Sequence, residues 1–320
     1  MYYNKWLHRY TILLVGATFL LIFIGGLVTS TDSGLSVPDW PTTYGHFMFS
    51  YPISKMVGGI LYEHGHRMVA SIVGLLTVIL VIWLWLKEPR RWVRWFGVGA
   101  LLAVIIQGIL GGITVLLKLP TAVSVAHGTI AQTFFCMTIG LAVFTSKSWQ
   151  EVQGPVVDTG KPSLPALSVV LTALVFVQLI LGAIMRHMGA GLAIPDFPLS
   201  WGRLIPPLVN NQIIINFMHR LGAFLVSVAV FWTYIRISKS FKEQTLLFKS
   251  AAILLLALIV QIVLAAITVW SKMAVIPTTA HVANGALILG LSFYLTLQIM
   301  KRVESSSSIQ EEVVLNQSTV

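Results

Sequence analysis

One polar stretch inside a long apolar segment carries residue types that could do chemistry. Glu63, His66 and Arg67 bring a carboxylate, an imidazole and a guanidinium close together. Ionisable side chains are costly within a membrane and usually mark function there. If a helix begins at or before Glu63, then Glu63 and His66 share one face of that helix. The stretch therefore predicts acid–base or electrostatic chemistry beside a group bound by His66.

A second copy of this stretch contains His219 and Arg220, and two further histidines, His127 and His281, recur with matching spacing. Each half of the chain thus offers two imidazoles. Opposed histidines across a helical bundle can bind a heme iron axially. Zinc is a poorer match, because no third carboxylate or thiolate accompanies both pairs. The alternative is that these histidines are only polar residues bonded to backbone or loop groups.

The neighbouring residues leave several interpretations open. Asn216 stands where the first copy has Glu63 and cannot exchange protons, which favours chemistry in the first half and cofactor binding in the second. Arg67 and Arg220 could each pair with an anionic group such as a heme propionate. They could equally extend to lipid headgroups. Glu63 could also do no more than favour the positive N-terminus of a helix.

The other histidines and the loops have weaker signals. His64 would point to a different helix face from His66, so we expect it to line an outer loop rather than bind the same group. Two loops share the pattern Gly-Leu-x-x-Pro-Asp-x-Pro, with Asp39 and Asp196 as candidate caps of backbone groups. A lid over each bundle is a weak prediction from these loops. The remaining histidines are interpreted as ordinary polar residues: His8, His46 and His187.

The composition is that of an integral membrane protein. Of 320 residues, 56% are hydrophobic and 10% are charged, and the mean hydropathy is +0.85. A soluble domain has about 25% charged residues. The net charge of +10 comes from short basic clusters between apolar segments rather than from a long basic tract, which argues against nucleic acid as a partner. Cys136 is the only cysteine, so no intrachain disulfide can form.

Eight apolar windows are long enough to cross a bilayer core of about 30 Å, and only helices can do so with such sequences. We interpret the first window as a retained helix rather than a cleaved signal peptide. The predicted windows are 11–30, 64–86, 95–117, 123–146, 165–185, 212–235, 250–270 and 279–300.

Lysine and arginine predict the orientation. Fourteen of the 21 lie on the side of the two termini and seven on the other, so the positive-inside rule places both termini in the cytoplasm and loops 31–63 and 186–211 outside. The chain has no Arg- and Ser-rich transit peptide, which favours a prokaryotic plasma membrane.

The second half of the chain repeats the first, which predicts two four-helix bundles related by a pseudo-symmetry axis near the membrane normal. The predicted domains are residues 1–150, the half with the catalytic acid, and residues 151–302, the half that holds a cofactor. Residues 303–320 are predicted to be a disordered cytoplasmic tail. The matched pairs are Gly34/Gly191, Pro38/Pro195, Asp39/Asp196, His66/His219, Gln107/Gln261 and His127/His281.

Eight spans in two repeats, with Glu-x-x-His-Arg at Glu63–Arg67 and the three further histidines, resemble the heme A synthase family over about residues 10–300. The resemblance implies an oxidoreductase that hydroxylates the methyl group of heme O successively, so that loss of water leaves the formyl group of heme A. It implies heme B at His219 and His281, substrate heme O at His66 and His127, and Glu63 as the essential acid.

The resemblance also bears on partners. Besides heme O and the lipid bilayer, it makes heme O synthase and further copies of the chain candidate partners, and it leaves the electron acceptor unidentified. One departure from the family pattern is plain: many members carry a cysteine pair in an outer loop, and the loops of this chain have none. The chain is therefore identified as a cysteine-free member: either the chemistry proceeds without those thiols, or the chain belongs to a cysteine-free subgroup of the family.

Two other functions fit part of the pattern. A diheme b-type cytochrome that only passes electrons would explain the four histidines equally well, but it would give Glu63 no special role. A transporter would explain the repeats. Its polar groups would be expected near the middle of the membrane, whereas those of this chain lie near one surface, so the oxidoreductase is the stronger prediction.

Overall fold

The computed structural model describes residues 3–152 and 154–306. Within these residues eight helices are long and apolar enough to span a membrane, which confirms the prediction of an all-α multi-pass membrane protein. The helices run beyond the predicted apolar windows at most of their ends. Including the short α5, they are α1 Lys5–Ser30, α2 Gly59–Lys87, α3 Arg91–Leu116, α4 Thr121–Thr145, α5 Lys147–Gln150, α6 Leu164–His187, α7 Asn211–Ser240, α8 Thr245–Trp270 and α9 Val275–Arg302.

Each half of the chain forms a closed ring of four helices. In the first half α1 packs against α2, α2 against α3, α3 against α4, and α4 returns to α1. The second half has the same order of contacts, from α6 through α7 and α8 to α9 and back to α6. The two rings meet where α1 packs against α9 and where α4 packs against both α6 and α9. The pairing order is the same in both halves; the symmetry axis itself stays a prediction.

Small residues allow the helices to approach closely, as is usual where lipid removes the hydrophobic force between helices. A Cβ at Gly97 of α3 would lie 2.6 Å from the side chain of Leu84, and one at Gly290 of α9 would lie 2.8 Å from Ile139. The outward helix faces carry exposed apolar side chains such as Leu86 and Phe224, which suit contact with acyl chains. A larger residue at either glycine would therefore force the two helices apart or displace the neighbouring side chain.

A small parallel sheet closes the side of the chain termini. Strand β1, Val156–Asp158, pairs with strand β2, Val303–Ser305, in parallel. Val303 is buried, and Asp158 accepts hydrogen bonds from Arg236 and from the start of α6 at Leu164. The prediction that the disordered tail begins at residue 303 is therefore wrong for residues 303–305, because their backbone is paired. Residues 307–320 of the predicted tail lie outside the described residues.

The two long loops on the opposite side have related local structure. The first runs from residue 31 to 58 and contains two 3₁₀ turns, Met48–Ser50 and Ile53–Lys55. An isolated bridge joins Thr43 to His46 in the first loop, and another joins Ser200 to Arg203 in the loop of residues 188–210. Both loops lead directly into the helices that carry a histidine–arginine pair, α2 and α7.

Candidate functional site

The four repeated histidines lie at similar depth in four helices. Each is about two turns, or roughly 10 Å, from the N-terminal end of its helix. In both rings the histidine-bearing helices stand diagonally opposite each other, α2 opposite α4 and α7 opposite α9. The structure thus brings the predicted pairs together across each bundle, close enough for electrostatic interaction. The pairs are His66 with His127 and His219 with His281.

Glycines on neighbouring helices make room for three of these four imidazoles. A Cβ at Gly25 of α1 would lie 3.3 Å from Nε2 of His66, and a Cβ at Gly182 of α6 would lie 2.9 Å from Cε1 of His219. These two glycines hold equivalent positions in the two four-helix rings. Such close approach leaves each imidazole little freedom to move towards the adjacent helix.

A third glycine makes room in the same way for His127, on α4. A Cβ at Gly111 of α3 would lie 3.1 Å from Cε1 of His127. All four histidine side chains are nevertheless partly exposed rather than fully packed. Space beside the rings is consistent with a planar group between them. Within the described residues, no three His, Cys, Asp or Glu side chains could hold a metal ion together, so each site offers two imidazoles and differs from a usual zinc site.

Glutamine side chains contact three of the four histidines. The Nε2 atom of Gln107 lies 3.3 Å from Nε2 of His127. In the second half, the Gln178 amide nitrogen lies 3.0 Å from Nδ1 of His219. These contacts are possible because each glutamine lies on a helix next to the histidine helix. The sequence pattern had shown Gln107 and its copy as a matched pair but had not given them a role, and Gln178 was missed because it has no counterpart in the first half.

Glu63 and Arg67 together anchor the first outer loop to α2. Helix α2 begins before Glu63, as the predicted shared face with His66 requires. One carboxylate oxygen of Glu63 lies 2.6 Å from Arg67 Nη2, and the other accepts a hydrogen bond of 2.7 Å from the backbone N–H of Val37. Arg67 also donates to the carbonyl oxygens of Val37, Asp39 and Thr42 at 2.7–3.1 Å. Because Glu63 is buried, this ion pair is shielded from water.

The second half builds the same anchor with a neutral amide. Arg220 donates to the carbonyl oxygens of three loop residues: Ile194, Asp196 and Leu199. Asn216 accepts from Arg220 through Oδ1 at 3.0 Å, and its Nδ2 donates to the carbonyl oxygen of Ala190 at 2.8 Å. The guanidinium groups of Arg67 and Arg220 are thus directed at loop carbonyls. The difference between the two anchors is the negative charge of Glu63.

Asp39 organises the tip of the first loop. Its carboxylate accepts hydrogen bonds from the N–H groups of Tyr44 and Gly45 and from the hydroxyl of Thr42. Partial burial acts to raise the pKa of Asp39, but these hydrogen bonds outweigh burial and lower the pKa to about 2. These contacts confirm the predicted capping of backbone groups by Asp39.

The first loop also covers one helix of its bundle. The indole of Trp40 rests on Gly112 of α3, where a Cβ would collide with the ring. His64 is buried beneath the loop, with Nδ1 3.0 Å from the hydroxyl of Thr43 and its ring centroid 5.3 Å from that of Tyr51. His64 therefore lines the loop, as expected from its helix face. The loop lies over the first bundle in the manner of the predicted lid.

His8 and His46 lie away from the four repeated histidines, whereas His187 is close enough to His127 for electrostatic interaction. His8 is at the opposite end of the bundle, with Nδ1 3.4 Å from Thr145 Oγ1. His46 packs edge-on against Tyr51 in the outer loop. His187 ends α6, where its carbonyl accepts a hydrogen bond from Thr121.

The model of the cytochrome oxidase assembly protein family matches residues 8–293, nearly the whole chain. A heme A synthase of Symbiobacterium thermophilum is 34% identical over 231 residues, which are 69% of this chain and 72% of the relative. The chain belongs to the heme A synthase family. The heme A synthase of Shouchella clausii is 27% identical over 81% of this chain and 85% of its own length. That of Lysinibacillus sphaericus is 23% identical over 94% and 97%.

Membership of the heme A synthase family covers both rings of helices, since the matched residues begin in α1 and end in α9. The two histidine pairs, both arginine anchors and Glu63 all lie inside the matched part of the chain. The outer-loop anchors are therefore features of the family's domain in this chain rather than of an added segment.

Proposed function

We propose that this protein is a heme A synthase that oxidises the methyl group of heme O to the formyl group of heme A for terminal oxidase biogenesis. Two successive hydroxylations and loss of water convert methyl to formyl, a change that removes four electrons from the carbon. The observation that carries the proposal is the pair of opposed imidazoles in each bundle of a chain that belongs to this family. We place substrate heme O at His66 and His127, and heme B at His219 and His281.

The residues of both sites fit a heme. Two buried ring nitrogens, Nδ1 of His127 and Nδ1 of His281, have no hydrogen-bond partner among the described residues, which suits imidazoles that receive a ligand. Gly25 and Gly182 keep adjacent backbone close to the rings without filling the space beside them. When bound, heme B would supply one-electron redox chemistry in the second half. The chain's own residues hold the rings and close the outer end of each bundle.

Glu63 is our candidate for the catalytic acid. Its carboxylate is one turn of α2 away from His66, and the matching residue of the second half, Asn216, has no charge. We propose that Glu63 stabilises positive charge that develops at the methyl carbon. Each carboxylate oxygen accepts one hydrogen bond, from Arg67 or from Val37, and each has a second lone pair, so proton uptake by Glu63 is compatible with both bonds. Arg67 and Arg220 support the sites by fixing the loops above them.

The proposal is tested by expressing the protein with a supply of heme O and identifying the extracted pigments by mass. We expect heme A from the wild type. Glu63→Gln should lower its yield by about 10²-fold or more, the range typical of a lost acid–base or charged group at a reacting centre. It should retain hemes in the purified protein, because both histidine pairs are intact.

Absence of heme A from the wild type, or undiminished yield in Glu63→Gln, would contradict the proposed function or the role of Glu63, respectively. Two permanently bound b hemes in the wild type, whatever heme is supplied, would instead support the diheme cytochrome. Asn216→Asp is the matched control, since it adds a carboxylate to the second half and should not raise the yield.

We also propose that the protein lies in a prokaryotic plasma membrane with both termini in the cytoplasm, on the basis of the asymmetry of lysine and arginine. This orientation can be tested in a Cys136→Ala background with single cysteines placed in loops on the two sides of the membrane. A membrane-impermeant thiol reagent applied to intact cells should label a cysteine at Ser50 and leave one at Ser240 unlabelled. The reverse pattern would overturn the orientation.

A further inference from the structure

The hydrogen bonds that hold the histidine rings differ between the two halves. The amide nitrogen of Gln178 bonds both the ring and the backbone of His219: it lies 3.0 Å from Nδ1 and 2.8 Å from the carbonyl oxygen. Leu21 holds the corresponding place in α1, because the same spacing separates Leu21 from Gln178 as separates Gly25 from Gly182. Leucine cannot donate or accept a hydrogen bond. Among the described residues, no hydrogen bond to the ring of His66 is found.

The space for Gln178 comes from a glycine that the first half lacks. A Cβ at Gly222 of α7 would collide with Oε1 of Gln178. At the place of Gly222 the first half has Val69, three residues after His66 just as Gly222 is three residues after His219. Gln178 and Gly222 therefore form a matched pair, and Leu21 and Val69 fill the same region with apolar atoms.

The opposite histidine shows the same asymmetry. Gln261 donates to the carbonyl of His281 at 3.1 Å, and its own Oε1 accepts a hydrogen bond of 2.8 Å from Asn284. Asn284 is fixed in turn by the carbonyl of Ala257 at 2.9 Å. In the first half the place of Asn284 is taken by Ile130. Among the described residues the Oε1 atom of Gln107 is buried without a partner, whereas Gln261 is held through both its nitrogen and its oxygen. The Oε1 atom of Gln178 has no partner there either, so Gln178 acts through its amide nitrogen.

We propose that Gln178 and Asn284 are positioning residues that make the second half the site of the resident heme, whereas their absence lets the first half exchange its heme. The inference rests on the proposed function. A hydrogen-bond partner beside a ligand histidine fixes the orientation of its ring, and loss of such a partner typically lowers metal affinity about 10- to 100-fold. A resident cofactor must survive many turnovers, but a substrate site must release its product. The two sets of contacts match these two needs.

The test uses purified protein with its hemes bound and an excess of apomyoglobin as a heme acceptor. Absorbance should show heme leaving the wild type in two phases, a fast phase from the first half and a slow phase from the second. The fast phase should be absent in a His66→Ala variant, which assigns that phase to the first half. The double variant Gln178→Leu/Gly222→Val gives the second half the residues of the first. We expect its slow phase to accelerate about 10- to 100-fold.

The reciprocal variant Leu21→Gln/Val69→Gly should slow the fast phase, and this gain cannot result from damage to the fold. Gln178→Glu replaces the amide nitrogen beside Nδ1 by a carboxylate oxygen of the same size, which can only accept a hydrogen bond from a protonated Nδ1. It should preserve slow release and lower the reduction potential of the second heme, because a carboxylate makes the imidazole a stronger donor to iron. Slower release in the reciprocal variant is the result that a purely structural role of Gln178 would not produce.

The outcomes separate the two proposals. A wild-type protein that binds no heme in either half would overturn the proposed function. The inference about Gln178 would be overturned if the wild type binds heme but both swapped variants release heme at the wild-type rates. The proposed function would still stand in that case.

Discussion

Arg67 ties the first outer loop to α2 in a way that lysine cannot reproduce. Its guanidinium donates to three loop carbonyls and to Glu63, whereas an ammonium group is a compact charge that cannot span the same set. We expect Arg67→Lys to raise the rate at which trypsin cuts after Lys55 by about tenfold or more. Hydrogen bonds of charged groups contribute about 1.5–3 kcal/mol each, so the loss of one already gives such a factor.

The second outer loop is an internal control for this variant. Its anchor, Arg220, is unchanged, so cutting after Arg203 should keep the wild-type rate. Equal rates of cutting after Lys55 in variant and wild type, measured on folded protein in detergent, would show that Arg67 does not hold the loop.

Asp39 makes the stability of the same loop depend on pH. Because its pKa in the folded protein is lowered to about 2, its hydrogen bonds to Tyr44 and Gly45 stabilise the loop above the usual aspartate pKa of 3.8. This contribution is lost as the pH falls from about 4 to about 2. We expect pepsin to cut the loop increasingly fast over that interval. An Asp39→Asn variant should be cut faster than the wild type at pH 4 and show little further change.

Pepsin itself changes activity with pH, so cutting must be divided by that of a free peptide with the loop sequence. A normalised wild-type rate that is constant between pH 4 and pH 2 would contradict the role of Asp39.

At the scale of single residues, the sequence predicted the four histidines and Glu63 because each is a costly group in an apolar segment. It could not predict where Arg67 and Arg220 point, since their partners are backbone carbonyls, which every residue has. Gln178 escaped notice for a different reason. Gln178 occurs in only one half, so a comparison that looks for residues shared by both repeats leaves it out. The structure shows that this difference between the halves matters, because Gln178 contacts His219.

Gly182 shows how one helix sets the position of a histidine on the next. A Cβ at this place would lie 2.9 Å from Cε1 of His219, closer than real contacts allow. We expect Gly182→Ala to displace the ring and to lose the heme of the second half, while the first half retains its heme. Heme content and the visible spectrum of the purified protein measure this.

Gly74→Ala in α2 is the matched control, since a Cβ there meets no atom within 4 Å. Alanine should stabilise the helix by up to about 1 kcal/mol and leave heme content unchanged. Heme content that is unaffected in Gly182→Ala would show that the ring tolerates the displacement.

At the scale of elements, the eight spans were predictable because a run of about 20 apolar residues is a strong signal. Helix ends were not: α2 begins at Gly59 and α1 at Lys5, before the apolar windows, because polar residues can continue a helix into the interface. The two three-residue strands were missed because their pairing joins residues far apart in the chain. Val303 gave no local sign that it would pair with Val156.

For the whole molecule, the repeat predicted two four-helix units, but contacts between the units had no signal in the sequence. Arg186 makes one such contact. It ends α6 in the second half and donates to the carbonyl of Thr29 at the end of α1, 2.7 Å away. Its position corresponds to no arginine in the first half. This contact between the halves therefore depends on a residue that the repeat does not share.

Two variants at this joint should have unequal effects. Arg186→Met leaves the Thr29 carbonyl without its donor and should lower the free energy of unfolding by about 1–3 kcal/mol. Asp32 lies 3.5 Å from the same guanidinium but is 94% exposed, and exposed ion pairs contribute about 0–1 kcal/mol. Asp32→Asn should therefore change stability little. Thermal unfolding of both variants in one detergent compares them directly. If Asp32→Asn were as damaging as Arg186→Met, the ion pair rather than the carbonyl bond would be what joins the halves at this point.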